Sequence, residues 1–260
     1  MSFNRNQTDR LIFNGHNLST LVSCEVQRPI LPPIEVKTAA IPGRTDELVK
    51  SVKRLPYDLP IKVHLRSDNR YSIKDVRRQL AKALWADEPK ALYLPDDPTR
   101  YLLAIVTGNT MLDELTDDTP ETTVNFHIVD PDFFGKKRMV RLGVDDNQLL
   151  CGRVNAGGNL PSYPIIAISI KEEISDFSIW CFHFGDAGIY AEDNISFYQT
   201  FQPGTTLVID MKNECVLRNG YQVPVDILST FFSISDIVEI NTNLASSAAE
   251  VRVEWRERWL

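Results

Sequence analysis

Four cysteines and four histidines are the residues of this 260-residue chain that could bind a transition metal. Cys181 and His183 stand two apart in an apolar block, so a strand would place both on one face, where a thiolate and an imidazole could bind zinc. No second ligand pair has the spacing of a metal site, and cysteine in an apolar block is usually a core residue. We therefore expect no metal and no other cofactor, and we expect the cysteines to be reduced.

Paired carboxylates could also do chemistry, because two of them can serve as the acid and base of glycoside hydrolysis or bind calcium. Four such pairs occur, namely Asp96-Asp97, Asp117-Asp118, Asp145-Asp146 and Glu172-Glu173. Each pair falls in a predicted turn and none has the register of an EF-hand, which favours solvated loop charges. A glycosidase whose two carboxylates come together from distant strands stays open at this point.

Motifs for nucleophilic catalysis and for phosphate binding are absent from the sequence. There is no G-x-S-x-G elbow, and Gly152, Gly157 and Gly158 match neither of the glycine motifs that bind phosphate. The Gly157-Gly158 pair instead indicates a flexible turn. The residues therefore predict a binding or assembly protein and not an enzyme.

The charge distribution argues against a nucleic-acid partner and indicates two regions. A net charge of −7 disfavours non-specific binding to phosphates, which requires clustered lysine and arginine. Residues 1–140 hold 20 basic and 19 acidic side chains, whereas residues 141–260 hold 8 and 16. No apolar stretch approaches the roughly 18 residues that a membrane span requires. We expect two soluble domains with different surroundings and no membrane contact.

Turn and loop signals dominate the first 60 residues. Asn14-Gly15 is typical of a tight turn and predicts a hairpin that joins residues 11–13 to residues 21–26. The proline-rich stretch 28–33 ends strand pairing. Residues 41–47 read as an exposed loop that leads to a cationic run at Lys50, Lys53 and Arg54.

One helix and several strands are predicted in the rest of this region. Ser72 is suited to cap a helix, with Asp75 in its first turn. The apolar face of that helix comprises Ile73, Val76, Leu80, Ala83 and Leu84. Strands are predicted at 61–65, 91–94, 101–106 and 123–129, the last broken by Asp130-Pro131-Asp132. Residues 136–138 then form a solvated basic link.

Residues beyond about 145 show almost no helical period. Short apolar blocks recur between turn residues, at 164–170, 178–184, 206–211, 214–218, 237–240 and 249–256. In the last block Val251, Val253 and Trp255 alternate with charged residues, so one face is buried and the other is solvated. Many short strands at this spacing predict a β-sandwich.

Four stretches, in order, resemble the distal tail proteins (Dit) of long-tailed phages, the siphovirus tail-component family. They are Phe13-Asn14-Gly15 with the later Arg28-Pro29-Ile30-Leu31-Pro32, then Ile41-Pro42-Gly43-Arg44, then Pro164-Ile165-Ile166 with Pro203-Gly204 and Asn219-Gly220, and finally residues 251–260. Each is a turn or an alternating strand, but the ordered set spans nearly the whole chain. The resemblance implies a virion protein of the tail tip, made in the cytoplasm of the bacterial host or encoded by a prophage.

The resemblance also implies the fold and the partners. We expect a mainly β protein with a minor helical part. Residues 1–138 would form a ring-forming domain built from a β-barrel or sheet with one helix, and residues 139–260 a galectin-like β-sandwich. Family members form six-fold rings that join the tail tube to the tail-associated lysin or tail-fibre hub, and they can anchor receptor-binding proteins.

Two further expectations concern surfaces. We predict that Arg44, Lys50, Lys53 and Arg54 lie at contacts with the ring or the tube, against the alternative of a solvated loop. The competing function is a carbohydrate-binding module that assists adhesion to the host surface. Two domains of roughly 130 residues use the whole chain and leave no room for an inserted module.

Overall fold

The computed structural model describes residues 10–65, 72–111, 120–185 and 188–260. The chain divides into two compact units, Met1–Phe134 with Leu260, and Gly135–Trp259. Strands dominate both units, and the described residues contain one α-helix. The mainly β fold class predicted from the sequence is confirmed.

The first unit is an antiparallel sheet with a helix packed on its apolar side. Its elements are β1 (Ile12–Phe13), β2 (His16–Asn17), a 3-10 turn (Leu18–Thr20), β3 (Val22–Val26), β4 (Ile34–Ala40), β5 (Glu47–Arg54), β6 (Tyr57–Leu65), α1 (Ile73–Leu84), β7 (Lys90–Leu94), β8 (Asp97–Thr107) and the first part of β9 (Glu121–Arg141). Strand β9 pairs with β6 and β8; β3 extends one side of this sheet, and β7, β1 and β2 extend the other. Strands β4 and β5 form a separate two-stranded sheet.

Alternation and capping explain why these residues fold this way. In β6, Leu59, Ile61 and Val63 are buried while the residues between them point outward, as a sheet with one solvated face requires. The side chain of Ser72 accepts a hydrogen bond from the Asp75 amide at 3.4 Å and so caps α1. The helix buries the apolar face predicted for it, except that its first residue is only partly buried.

Two local predictions in this unit are wrong. The turn at Asn14-Gly15 exists, with φ of 50° and 75°, but it joins β1 to β2, and residues 22–26 pair with β6 instead. Strand β9 also continues through Pro131. There Asp130 faces Leu103 and Phe134 faces Tyr101, so three residues of β9 oppose one of β8. This bulge accommodates a proline, which has no amide to donate to the ladder.

The second unit is a sandwich of two antiparallel sheets. Its strands after β9 are β10 (Gly143–Val144), β11 (Leu149–Asn155), β12 (Ile165–Ile170), β13 (Phe177–Gly185), β14 (Gly188–Phe197), β15 (Thr206–Asp210), β16 (Cys215–Arg218), β17 (Tyr221–Val223), β18 (Ile237–Ala245) and β19 (Ala249–Trp259). One sheet has the order β17-β16-β15-β12-β19-β9 and the other β10-β11-β18-β13-β14. Inward-facing residues of both sheets share one apolar core, which confirms the sandwich.

The end of β9 is part of a strand that pairs with the last strand, and it is not a link. Lys137 pairs with Glu254 at 2.6 Å, and Arg138 pairs with Glu257, whose side chain is nearly buried. Burial raises the pKa of the Glu257 carboxyl, but hydrogen bonds from Arg138, the Lys136 amide and Trp259 outweigh this effect, so the pKa is lowered overall. The predicted link at residues 136–138 is therefore wrong, although these residues are exposed as predicted, because their strand partners lie more than 100 residues further along the chain.

Candidate interaction site

The β4–β5 hairpin is the most exposed secondary structure of the first unit. Its two strands pair with each other from Ile34 opposite Arg54 to Ala40 opposite Glu47. Residues 41–46 close it, with a hydrogen bond from the Arg44 amide to the Ile41 carbonyl and Gly43 at φ +79°. No residue of either strand is buried. The predicted loop before the cationic run is thus the turn of a hairpin, and the run itself is part of a strand.

One face of the hairpin is apolar. Side chains opposite each other across an antiparallel pair share a face. Val36 lies opposite Val52, and Val49 lies opposite Thr38, with Ile34 on the same face. Arg54, opposite Ile34, and Glu47, opposite Ala40, place one charge at each end of this face. These aliphatic side chains are about half exposed, from 47% for Ile34 to 61% for Val52. The alternation of Ile34 and Val36 with charged residues is the signal from which this strand could have been predicted.

The opposite face of the hairpin carries Glu35, Lys37 and Lys53, together with the aliphatic pair Ala39 and Leu48. Glu35 lies opposite Lys53, and Lys37 lies 3.9 Å from Glu35 and opposite Ser51. A register shift between Lys37 and Thr38 leaves Lys50 without a direct opposite on β4. The two faces of the hairpin therefore differ in polarity, and both are exposed in the monomer.

An exposed apolar face on a hairpin implies a partner. Two-stranded hairpins are marginally stable in water on their own. Burying an aliphatic side chain fully contributes about 1.5–3 kcal/mol, so covering the exposed half of each one would contribute about 1 kcal/mol. Because four such residues lie on this face, its burial against another apolar surface would be favourable.

Arg54 anchors the hairpin to the rest of its unit. Its Nη2 donates a hydrogen bond to Oδ2 of Asp132 on β9 at 3.1 Å, and its Nε lies 2.8 Å from Oδ1 of the same carboxylate, whose side chain is only 2% exposed. The Leu55 amide bonds the Pro33 carbonyl at 2.8 Å and closes the base of the hairpin. Two contacts between one guanidinium and one carboxylate fix orientation as well as distance. The sequence could not reveal this pair, which joins positions 78 residues apart.

The four residues predicted at an interaction surface therefore share one hairpin but differ in their surroundings. Arg44 lies in the turn, where it pairs with the exposed Asp46 at 3.2 Å. Lys50 and Lys53 lie on β5 with exposed side chains. Arg54 is engaged with Asp132, so its charge is already paired within the chain.

The Cys181–His183 pair has no reactive thiol. The Sγ atom of Cys181 lies 3.7 Å from Nε2 of His183, which lies 3.2 Å from Oδ2 of Asp193. Burial, with a smaller contribution from Asp193, raises the pKa of the Cys181 thiol to about 12, so it is protonated at neutral pH. Within the described ranges, no three His, Cys, Asp or Glu residues are grouped as metal ligands.

The acidic pairs have structural partners where the structure describes them. Asp96 pairs with Arg28 at 2.8 Å, and Asp145 accepts hydrogen bonds from the amides of the loop that follows it. Glu173 accepts a hydrogen bond from Gln202. Asp117-Asp118 lies outside the described residues.

Comparison with known proteins gives the family. Residues 157–259 match the model of the siphovirus-type tail component, C-terminal domain, and residues 13–128 match the phage tail protein RIFT-related domain. The chain belongs to the siphovirus distal tail protein (Dit) family. It is a structural component of the phage tail and is carried in the virion, as the resemblance in its sequence implied.

The solved structure of a tail protein has the same fold. SPP1 Dit (gp 19.1), described as a paradigm of the hub adsorption apparatus in phages that infect Gram-positive hosts, is similar over 96% of this chain and 99% of its own, with 14% identity and a TM-score of 0.73. The phage P2 baseplate in its activated conformation with Ca matches at 10% identity, over 89% of this chain and 90% of its own, with a TM-score of 0.43. No curated protein sequence matches the chain. In the described residues, no helix is long and apolar enough to cross a membrane.

Proposed function

We propose that this Dit protein forms a six-fold ring at the tail tip, which joins the tail tube to the tail-associated lysin or tail-fibre hub and anchors receptor-binding proteins. Residues 1–138 build the ring, and residues 139–260 form the galectin-like domain. The role is mechanical and organisational, with no reaction catalysed. The sequence resemblance supplies the six-fold symmetry and the partners.

The observation that carries the proposal is the exposed apolar face of the β4–β5 hairpin. In a closed ring each subunit presents one surface to the next subunit and a different surface to the previous one. A hairpin with half-exposed Val36, Val49 and Val52 suits such a contact, because a neighbour would cover what the monomer leaves in water. The near balance of basic and acidic residues in positions 1–140 also favours closure, since little long-range repulsion opposes it.

Charged residues of the same hairpin fix the position of the contact. Arg44, Lys50 and Lys53 are exposed on the turn and on β5, where they can pair with acidic groups of a neighbouring subunit or of the tube. Arg54 acts at the same contact by holding the hairpin against β9 through Asp132. The acidic residues of the second domain keep the assembly soluble.

Electron microscopy of the purified full-length protein in negative stain tests the proposal. We expect six-fold rings for the wild type at high concentration and for Ile227→Asp, a control at an almost fully exposed aliphatic residue of the second unit. Val52→Asp should abolish the rings, since it places a carboxylate in the apolar contact. Rings that form equally well with Val52→Asp, or their absence both for the isolated wild type and when tail tubes are added, would contradict the proposal.

A further inference from the structure

The outer face of one sheet of the second unit carries a column of aromatic residues. On β13, Ile179, Cys181 and His183 point into the core, and the residues between them point outward. Those outward residues are Trp180, Phe182 and Phe184, which are half-buried or exposed. Residues two apart on a strand are separated by about 6.7 Å, so three rings follow one another along one face.

Polar side chains flank this column on both neighbouring strands. Trp180 lies opposite Asn194 on β14 and opposite Asn241 on β18. Phe182 lies opposite Glu192 on β14 and opposite Glu239 on β18. Trp180 and Phe182 are thus each bordered by two planar groups that can accept hydrogen bonds, and the asparagines can also donate them, whereas Phe184 lies opposite Ile189.

A hydrogen-bond network holds part of this border in place. Glu239 accepts a hydrogen bond from Nδ2 of Asn241 at 3.1 Å and one from Nε of Arg153 on β11 at 3.4 Å. The Arg153 guanidinium also lies 6.0 Å from the centroid of the Phe184 ring. A carboxylate, an amide and a guanidinium are therefore preorganised beside the aromatic column.

We propose that this face, the aromatic column with its polar border, binds a saccharide that carries no charge. The C–H face of a pyranose stacks on an aromatic ring, while its adjacent hydroxyls pair with carboxylate, amide and guanidinium groups. A few convergent polar groups around an apolar surface are the usual composition of a small-ligand site. The length of one pyranose unit is comparable to the ring spacing, so two or three sugar units could lie along β13.

The net charge of the polar border indicates which class of saccharide it can bind. The border holds two carboxylates, Glu192 and Glu239, against one guanidinium, Arg153. A polymer of sugar or glycerol phosphates would be repelled by this excess of negative charge. The ligand is therefore a neutral hexose or N-acetylhexosamine chain. This binding is separate from ring formation, because none of the residues belongs to the β4–β5 hairpin.

A glycan array probed with the full-length protein tests the proposal. The array carries oligosaccharides of neutral hexoses and N-acetylhexosamines, together with poly(glycerol phosphate). We expect binding to neutral oligosaccharides only. For the oligosaccharide bound best, isothermal titration calorimetry should show at least a tenfold loss of affinity for Trp180→Ala and for Arg153→Ala. Tyr221→Ala, which removes an exposed aromatic residue on β17 of the other sheet, should bind as the wild type does.

Three results would overturn the proposal. They are an array without binding to any neutral oligosaccharide, a preference for poly(glycerol phosphate), and affinities for both variants within threefold of the wild type. Circular dichroism verifies that each variant is folded. If Trp180→Ala is unfolded, Arg153→Ala decides the matter, since that side chain is mostly solvent-exposed and its removal leaves the core intact. Electron microscopy of the same samples shows whether rings form, and so separates a loss of saccharide binding from a loss of ring formation.

Discussion

Removing the guanidinium of Arg54 should destabilise the first unit far more than removing that of Arg44. Arg54 pairs with Asp132, whose side chain is 2% exposed, whereas Arg44 and Asp46 are both largely exposed. Breaking a buried ion pair by deleting one partner costs about 3–5 kcal/mol. Because the Arg54 side chain is itself 34% exposed, solvent screening reduces this to about 2 kcal/mol.

Differential scanning calorimetry of the full chain measures this difference. For a unit of this size, about 2 kcal/mol lowers the midpoint of thermal unfolding by roughly 6–10 °C. Arg44→Ala should lower it by no more than about 3 °C, because exposed ion pairs contribute about 0–1 kcal/mol. The double variant Arg54→Ala/Asp132→Asn should recover part of the loss, since it removes the carboxylate charge that Arg54 balances. Equal shifts for Arg54→Ala and Arg44→Ala would refute this reasoning.

Three further predictions concern the second unit. Gly158→Ala should lower the unfolding midpoint by about 10 °C, because its Cβ would lie 2.0 Å from the Arg258 carbonyl oxygen and such overpacking costs about 3 kcal/mol. Gly143→Ala, whose Cβ would meet nothing closer than 3.7 Å, should be nearly neutral in the same experiment. The lowered pKa of Glu257 contributes stability above the pKa of the unfolded chain, and this stability is lost as the pH falls through the folded pKa, so Glu257→Gln should flatten the acid limb of a stability–pH curve. Cys181 should resist iodoacetamide at pH 8 until the protein is unfolded, as peptide mass mapping would show, because its thiol is buried and protonated.

Each of these has an outcome that would contradict it. Equal effects of Gly158→Ala and Gly143→Ala would mean that the backbone does not approach Gly158 closely. An unchanged acid limb for Glu257→Gln would mean that the Arg138 and Lys136 contacts do not favour the charged carboxyl. Rapid labelling of Cys181 in the native protein would mean that β13 opens to solvent.

Local signals in the sequence predicted local structure correctly. The Ser72 cap and the spacing of apolar residues after it located α1, and the alternation in residues 251–256 located β19. Asn219-Gly220 closes the β16–β17 hairpin with positive φ at both residues. These features depend on neighbours within a few positions, which a single sequence contains in full.

Long-range pairings could not be predicted in the same way. Nothing near Val22–Val26 indicates that its partner is β6, and nothing near Arg54 indicates Asp132. The sequence predicts an exposed loop at residues 41–47 and no strand on either side of it, because β4 and β5 form without a buried face. The Gly157-Gly158 pair, which the sequence predicts as a flexible turn, lies in close contact with the last strand. This contact also cannot be predicted from the residues next to the pair.

The aromatic column on β13 also combines a feature that the local sequence predicts with one that only the fold shows. The alternation within residues 178–184 predicted a strand, and it also places Trp180 and Phe182 on one face. Which polar groups border that face depends on the register of β13 with β14 and β18. That register joins residues up to about 60 positions apart, so the candidate saccharide site becomes visible only in the folded sandwich.

Site-specific photo-cross-linking from the hairpin tests most directly the claim that it builds the ring. Val52 is replaced by benzoylphenylalanine in the full-length protein, and the products are separated by size and mapped by mass spectrometry. We predict intermolecular cross-links between position 52 of one copy and residues within 1–138 of the next, in assemblies up to six times the 29.6 kDa of one chain. Cross-links that are only intramolecular, in assemblies that nevertheless form rings, would contradict the account.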